Sequence, residues 1–195
     1  GSRGEGRSSP DLGVWWTANG EPRLLLIEVK YTEPDFGTCR SGQEGAAACS
    51  QTGAELFAGG AEACPKTLDD RPYWKLMQEL EVFNEEALGA SVVCPFRFEG
   101  YQLMRYQLLA AAIEADPQAA ERRVDFVTLC HPDNLLLHQF TLPVVGEDQV
   151  FTLWPRILKN PSRFHDWSAR DWVYKAGIDP DLAEWATWMT GRYFP

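Results

Sequence analysis

An α/β fold on the border of α+β, with a mixed central β-sheet flanked by helices, is what the sequence of this 195-residue chain predicts. Three observations carry that expectation. Asn19-Gly20 separates two β-rich runs, apolar residues recur at helical spacing in the middle of the chain, and the elements follow the order β-β, α-α, β-β, α-α. The length points to one domain over residues 1–195, and 45% hydrophobic residues suffice for a sizeable core. Gly1-Ser2 reads as a cloning remnant, so a natural chain that starts further upstream is expected.

The elements follow in order. Residues 11–17 and 23–30 flank Asn19-Gly20, the strongest short hairpin signal. From Thr32 to Asp70 the chain turns to Gly, Ala, Ser, Gln and three cysteines, a long irregular insertion at 32–70 with one short helix near Ala54–Phe57. Residues 71–88 form one predicted helix, with Trp74, Met77, Leu80, Val82 and Phe83 on its apolar side. A second spans 98–117 and ends at Asp116-Pro117. Arg123–Cys130 and Leu135–Leu142 read as strands. Asp166–Ala176 and Asp181–Tyr193 read as helices, the last opened by Asp179-Pro180.

Charge and composition exclude several classes. A net charge of −10 argues against a general polyanion binder, because lysine and arginine make most phosphate contacts. Clustered carboxylates can nevertheless hold a divalent cation that supplies positive charge locally. No run approaches the roughly 18 apolar residues that cross a bilayer, and no signal peptide opens the sequence. Five cysteines in such a chain point to reduced thiols and a cytoplasmic location, with no membrane partner.

The apolar strand Leu24–Lys30 ends in Glu28 and Lys30, two opposite charges on one side. With Asn19-Gly20 as a two-residue turn, Asp11 lies opposite Glu28. A four-residue turn through Pro22 puts Asp11 opposite Lys30 and diagonal to Glu28. In either register the three side chains share a face, and a one-residue bulge would separate them. Two carboxylates at cross-strand distance repel unless a cation sits between them or one is protonated. Oxygen ligands of this kind suit Mg²⁺ or Mn²⁺, and a neighbouring lysine can orient an attacking water. A salt bridge at a strand end is the plainer alternative.

Pro10-Asp11 and Glu28-Val29-Lys30, the second preceded by an apolar strand, resemble the PD-(D/E)xK, or restriction-endonuclease-like, nuclease superfamily. Gln102 and Tyr106, in "QLMRY", are similar to the QxxxY element of its RecB-like branch, and residues four apart share a helix face. The stretches "EVKYTE", "YWKL", "YQLMRYQLL" and "WMTGRYF" are similar to a group of uncharacterised bacterial restriction-endonuclease-like proteins. The resemblance implies a restriction-endonuclease-like core and a Mg²⁺- or Mn²⁺-dependent deoxyribonuclease, an endonuclease in the first instance. It implies that Asp11, Glu28 and the Val29 carbonyl bind the metal, Lys30 serves the nucleophilic water, and Gln102 and Tyr106 support the site. DNA is the implied partner, and a homodimer cutting both strands fits the superfamily. The superfamily usually carries a further acidic residue on a helix before the first strand, where this chain offers only Glu5. A catalytically inactive nucleic-acid or protein interaction module is therefore the alternative.

Other constellations draw blander readings. Cys39, Cys49, Cys64 and Cys94 contain no C-x-x-C pair and all precede the QxxxY element, unlike the four-cysteine clusters of some RecB-like nucleases. They are taken as ordinary thiols, some able to form disulfides. Cys130-His131 and His138 are assigned packing or surface roles. Of Trp15, Trp16, Trp167, Trp172, Trp185 and Trp188, most are expected in the core, with Trp15 or Trp16 open to stack bases. Glu79, Glu81, Glu85 and Glu86 are read as a solvated helix face.

Overall fold

The computed structural model describes residues 9–43, 47–97, 100–119, 122–143 and 149–195. Strand β1 (Leu12–Ala18) pairs antiparallel with β2 (Glu21–Lys30) through Asn19 and Gly20, both in the left-handed region at φ 53° and 83°. A type I′ turn needs that conformation at both positions, and Asn-Gly supplies it at little cost. Leu12 opposite Ile27 settles the two-residue register over the four-residue alternative. β2 then runs parallel to β3 (Arg123–Cys130), and β3 parallel to β4 (Phe164–Ser168), giving a mixed sheet in the order β1-β2-β3-β4.

Between β2 and β3 lie α1 (Arg40–Gln43), α2 (Gly53–Phe57), α3 (Pro65–Leu68), α4 (Tyr73–Glu79), α5 (Glu85–Gly89) and α6 (Gly100–Ala115). Between β3 and β4 come α7 (Leu135–His138) and α8 (Val150–Ile157), and α9 (Ala169–Ala176) and α10 (Ala183–Tyr193) close the chain. Alternation along the central strands divides the interior. Leu24, Leu26, Val124 and Phe126 pack towards α4–α8, whereas Ile27, Val127 and Leu129 pack towards α9 and α10. Both faces of β2 and β3 are therefore covered, as parallel strands require, while β1 stays exposed along an edge. Among the described residues no helix is long and apolar enough to cross a membrane.

Several expected elements are corrected. The single helix over 71–88 is two, because Glu81 adopts φ 50° and Asn84 starts α5 by accepting from the backbone N–H of Glu86 and Ala87. Leu135–Leu142 is no strand. Asn134 accepts from the Leu137 amide and caps α7, leaving Leu135 and Leu136 exposed. Residues 164–168 form β4 before α9 begins at its Ser168 cap, so the helix expected from Asp166 starts later. The insertion holds α1 and α3 as well as α2, and α8 had drawn no expectation. Trp15, Trp16, Trp172, Trp185 and Trp188 are exposed, and the buried tryptophans are Trp74 and Trp154.

Gly53 shows how tightly the insertion seats on the rest. Its amide donates to the Ser91 carbonyl at 2.9 Å, and a Cβ there would fall 1.9 Å from the Leu88 carbonyl oxygen. Gly53→Ala therefore has to push α2 off α5 and is expected to cost about 1–3 kcal/mol in denaturant unfolding. An unchanged unfolding midpoint would show that the two helices are not pressed together in this way.

Candidate active site

The hairpin register places Asp11 one step beyond the Leu12–Ile27 pair, opposite Glu28. Its Oδ2 accepts the Val29 amide at 2.8 Å, so the side chain continues the ladder past the end of β1. Glu28 and Lys30 stand on the face of β2 that also carries Leu24 and Leu26, and α6 covers that face. Both are buried, at 5% and 7% exposure, and Lys30 Nζ lies 3.2 Å from Glu28 Oε1. The lysine ammonium also sits 5.8 Å from the centre of the Phe36 ring. The three side chains do gather at one end of the hairpin.

Helix α6 ties this arrangement together. Gln102 Nε2 donates to Glu28 Oε1 at 2.7 Å and to the Tyr106 hydroxyl at 3.3 Å. That hydroxyl in turn donates to the Ser9 carbonyl at 3.0 Å, two residues before Asp11. One turn of helix thus grips both acidic strands: Gln102 holds Glu28, and Tyr106 holds the segment leading into Asp11. Tyr106 rests on Phe126 of β3, with ring centres 5.5 Å apart. Burial pushes the Tyr106 hydroxyl up to about 12, so it stays protonated and able to donate.

Two acceptor atoms at this spot have no hydrogen-bond partner among the described residues, although both are buried: Glu28 Oε2 and Gln102 Oε1. A buried carboxylate oxygen without a donor is costly, and a hard cation with oxygen ligands satisfies it well. The donor set of Asp11, Glu28 and the Val29 backbone therefore fits Mg²⁺ or Mn²⁺. No three His, Cys, Asp or Glu side chains among the described residues form a ready single-ion cage, and Glu5 lies outside them. Water and substrate oxygens would have to complete the shell, as Mg²⁺ tolerates.

Glu28 holds its proton more tightly than an ordinary glutamate. Burial is the main cause, the Lys30 ammonium opposes it, and the Asp11 charge adds to it. A carboxyl with a raised folded-state pKa contributes stability that is full below its ordinary value of 4.5 and is lost as pH rises through the folded-state value. Asp125 works the other way. Burial alone would raise it, but hydrogen bonds and charges from Arg123 and Arg163, with His165 Nε2 4.0 Å away, outweigh burial and lower it, so its contribution is lost as pH falls. In chelator, the unfolding midpoint of the wild type is therefore expected to fall relative to Glu28→Gln as pH is raised above 4.5. A difference that does not vary with pH would contradict the raised value.

A cleft of about 490 Å³ adjoins Lys30 and Gln102. Lys30, Arg40, Lys66 and Arg105 line it against Glu33 and Asp35, so the local balance is positive on a chain whose net charge is −10. Of these cations only Lys30 and Arg105 stand in motifs that the sequence displays. Arg40 and Lys66 lie in the irregular insertion, where no periodicity reveals a shared face. Cys130 and the histidines do not form a nucleophile. Cys130 is fully buried, His131 Nε2 lies 2.9 Å from the Tyr193 carbonyl, and His138 packs on Phe151.

Comparison with known proteins places these features in context. The family model described as "Restriction Endonuclease associating with ARP" matches residues 2–194. No curated protein and no solved structure matches the chain.

Proposed function

The chain belongs to the family described as Restriction Endonuclease associating with ARP, and from that premise we propose that it is a metal-dependent nuclease that hydrolyses phosphodiester bonds of DNA in the cytoplasm. The observation that carries the reading is the asymmetric environment of Glu28. One carboxylate oxygen is held by Lys30 and Gln102, while the other is buried beside Asp11 with no donor among the described residues.

In this reading Asp11, Glu28 and the Val29 carbonyl hold Mg²⁺ or Mn²⁺. When bound, such an ion polarises the scissile phosphate and offsets the charge that develops on it. Lys30, its ammonium held between Glu28 and the Phe36 ring, orients the attacking water and stabilises the hydroxide that forms by its charge, while the proton leaves to solvent. Gln102 keeps Glu28 in a single rotamer, and Tyr106 anchors the Ser9 backbone that positions Asp11. The basic cleft receives the backbone phosphates on either side, which reconciles an acidic chain with a polyanionic substrate. Endonuclease action, and a homodimer that cuts both strands, belong to the same reading. So does the association with ARP that the family description records.

A second reading, a binding module without catalysis, draws on one observation. Asp11 Oδ2 is already engaged by the Val29 amide. The full-length protein incubated with supercoiled plasmid decides between them. Nicking that requires Mg²⁺ or Mn²⁺ and stops in chelator supports the enzyme. Retention of plasmid without nicking under either metal favours the module, and cleavage of linear but not circular DNA would make it an exonuclease.

A further inference from the structure

Four cysteines that are scattered in sequence meet in space. Cys39, Cys49, Cys64 and Cys94 line one pocket, together with Lys66, Arg97 and Tyr101. They come from four separate segments: the residue before α1, the 3₁₀ turn Ala47–Ser50, the residue before α3, and the chain after α5. Cys39, Cys49 and Cys94 are buried and Cys64 is half-buried, and all four are free thiols, so the disulfides that the sequence left open are not formed. The backbone fixes their places. The Cys94 amide donates to the Cys49 carbonyl at 3.5 Å, and the Cys64 carbonyl accepts from Thr67 and Leu68 at the start of α3.

The surrounding fold makes this convergence unusual. α1, α2 and α3 have only four or five residues each, and helices so short do not stand alone in water. This region is held by packing on the core, and a metal bound by its four thiols would brace it further. Four thiols gathered in one pocket can take up a cation as thiolates, their protons leaving as the metal binds.

We propose that Cys39, Cys49, Cys64 and Cys94 hold an iron–sulfur cluster. Each thiol loses its proton as it ligates an iron. Lys66 and Arg97 offset the net negative charge of a four-thiolate cluster. A single zinc ion, at about 2.3 Å from each sulfur, would draw the four sulfurs within about 4 Å of one another. No trio of donors among the described residues is gathered for one ion in that way. An iron–sulfur core brings its own iron and sulfide and shares four cysteine thiolates among several irons, so the four sulfurs need not meet at one ion. Lys66 and Tyr101 line both this pocket and the basic cleft, so the cluster braces the cleft wall from behind. This inference stands apart from the nuclease reading and needs no activity for its test.

The test is purification of the full-length protein under anaerobic conditions, with iron, acid-labile sulfide and zinc assayed and the visible spectrum recorded. Iron and sulfide in equal amounts, with a broad thiolate-to-iron absorbance band, are the expected result. Cys64→Ser and Cys94→Ala should lose both, whereas Cys130→Ala, a cysteine outside the pocket, should keep them. Since a ligand variant can lose iron by failing to fold, the unfolding midpoint of the wild type is also compared before and after cluster removal, and a fall is expected. Stoichiometric zinc in place of iron overturns the proposal. So does a wild-type chain that takes up no iron and sulfide on reconstitution, or a Cys64→Ser variant that retains the full cluster.

Discussion

The double variant Glu28→Gln with Lys30→Met should fold like the wild type and fail to nick plasmid. Removing both charges together avoids leaving either one buried alone, which costs about 3–5 kcal/mol when one member of a buried pair is deleted. The substituted amide still accepts from Gln102, and the methionine stem still covers the Phe36 ring. What disappears is the carboxylate that meets the cation and the ammonium that serves the water. The single variant Lys30→Met should lower cleavage by about 10²–10³-fold, the range for losing one positioned donor of electrostatic stabilisation. It should also destabilise the protein, because Glu28 then lacks its ion partner. Should the double variant cleave at the wild-type rate, Glu28 and Lys30 are only a strand-end salt bridge, and the enzyme reading fails with them.

Phe126→Ala should produce the largest loss of stability. Phe126 is fully buried at the centre of the sheet, with ring centres 5.5 Å from Tyr106 and 5.7 Å from Phe164. Deleting such a ring typically costs about 3–5 kcal/mol, which for a chain of this size lowers the midpoint by roughly 10 °C. The position also supports the site. Tyr106 loses the surface that aims its hydroxyl at the Ser9 carbonyl, so the segment leading into Asp11 loosens. Val127→Ala makes the comparison sharp, since Val127 is equally buried but packs towards α9 and α10. At a temperature where both variants are folded, only Phe126→Ala should show reduced cleavage. Equal loss in both would mean that cleavage follows global stability and not the support of Tyr106.

Much of the candidate site was legible because its geometry is local. Asn19-Gly20 sets the turn, the turn sets the register, and the register puts Asp11 opposite Glu28; the side-chain period of two then puts Lys30 beside them. The four-residue spacing of Gln102 and Tyr106 likewise follows from one helical turn. What they grip was not legible. That α6 lies over the even-numbered face of β2, so that Gln102 meets Glu28 and Tyr106 meets Ser9, depends on a connection of about seventy residues between β2 and α6 that no local pattern describes.

The misread elements share one cause. Residues 71–88 carry helical spacing throughout, yet Phe83 bridges to Leu158 and Asn84 restarts the helix, so a distant strand-like contact overrides the local preference. Leu135–Leu142 is rich in leucine, which suits either state, and the Asn134 cap decided it.

The sequence by itself therefore determined the hairpin, the shared face of Asp11, Glu28 and Lys30 in either register, the helix that carries Gln102 and Tyr106, and the chemical character of the acidic pair, because each is encoded within a few residues. Only the tertiary structure decided which face α6 covers, which cations line the cleft, and that four distant cysteines share a pocket. Those outcomes come from burying apolar surface across the whole chain, a long-range balance that no short window of residues contains.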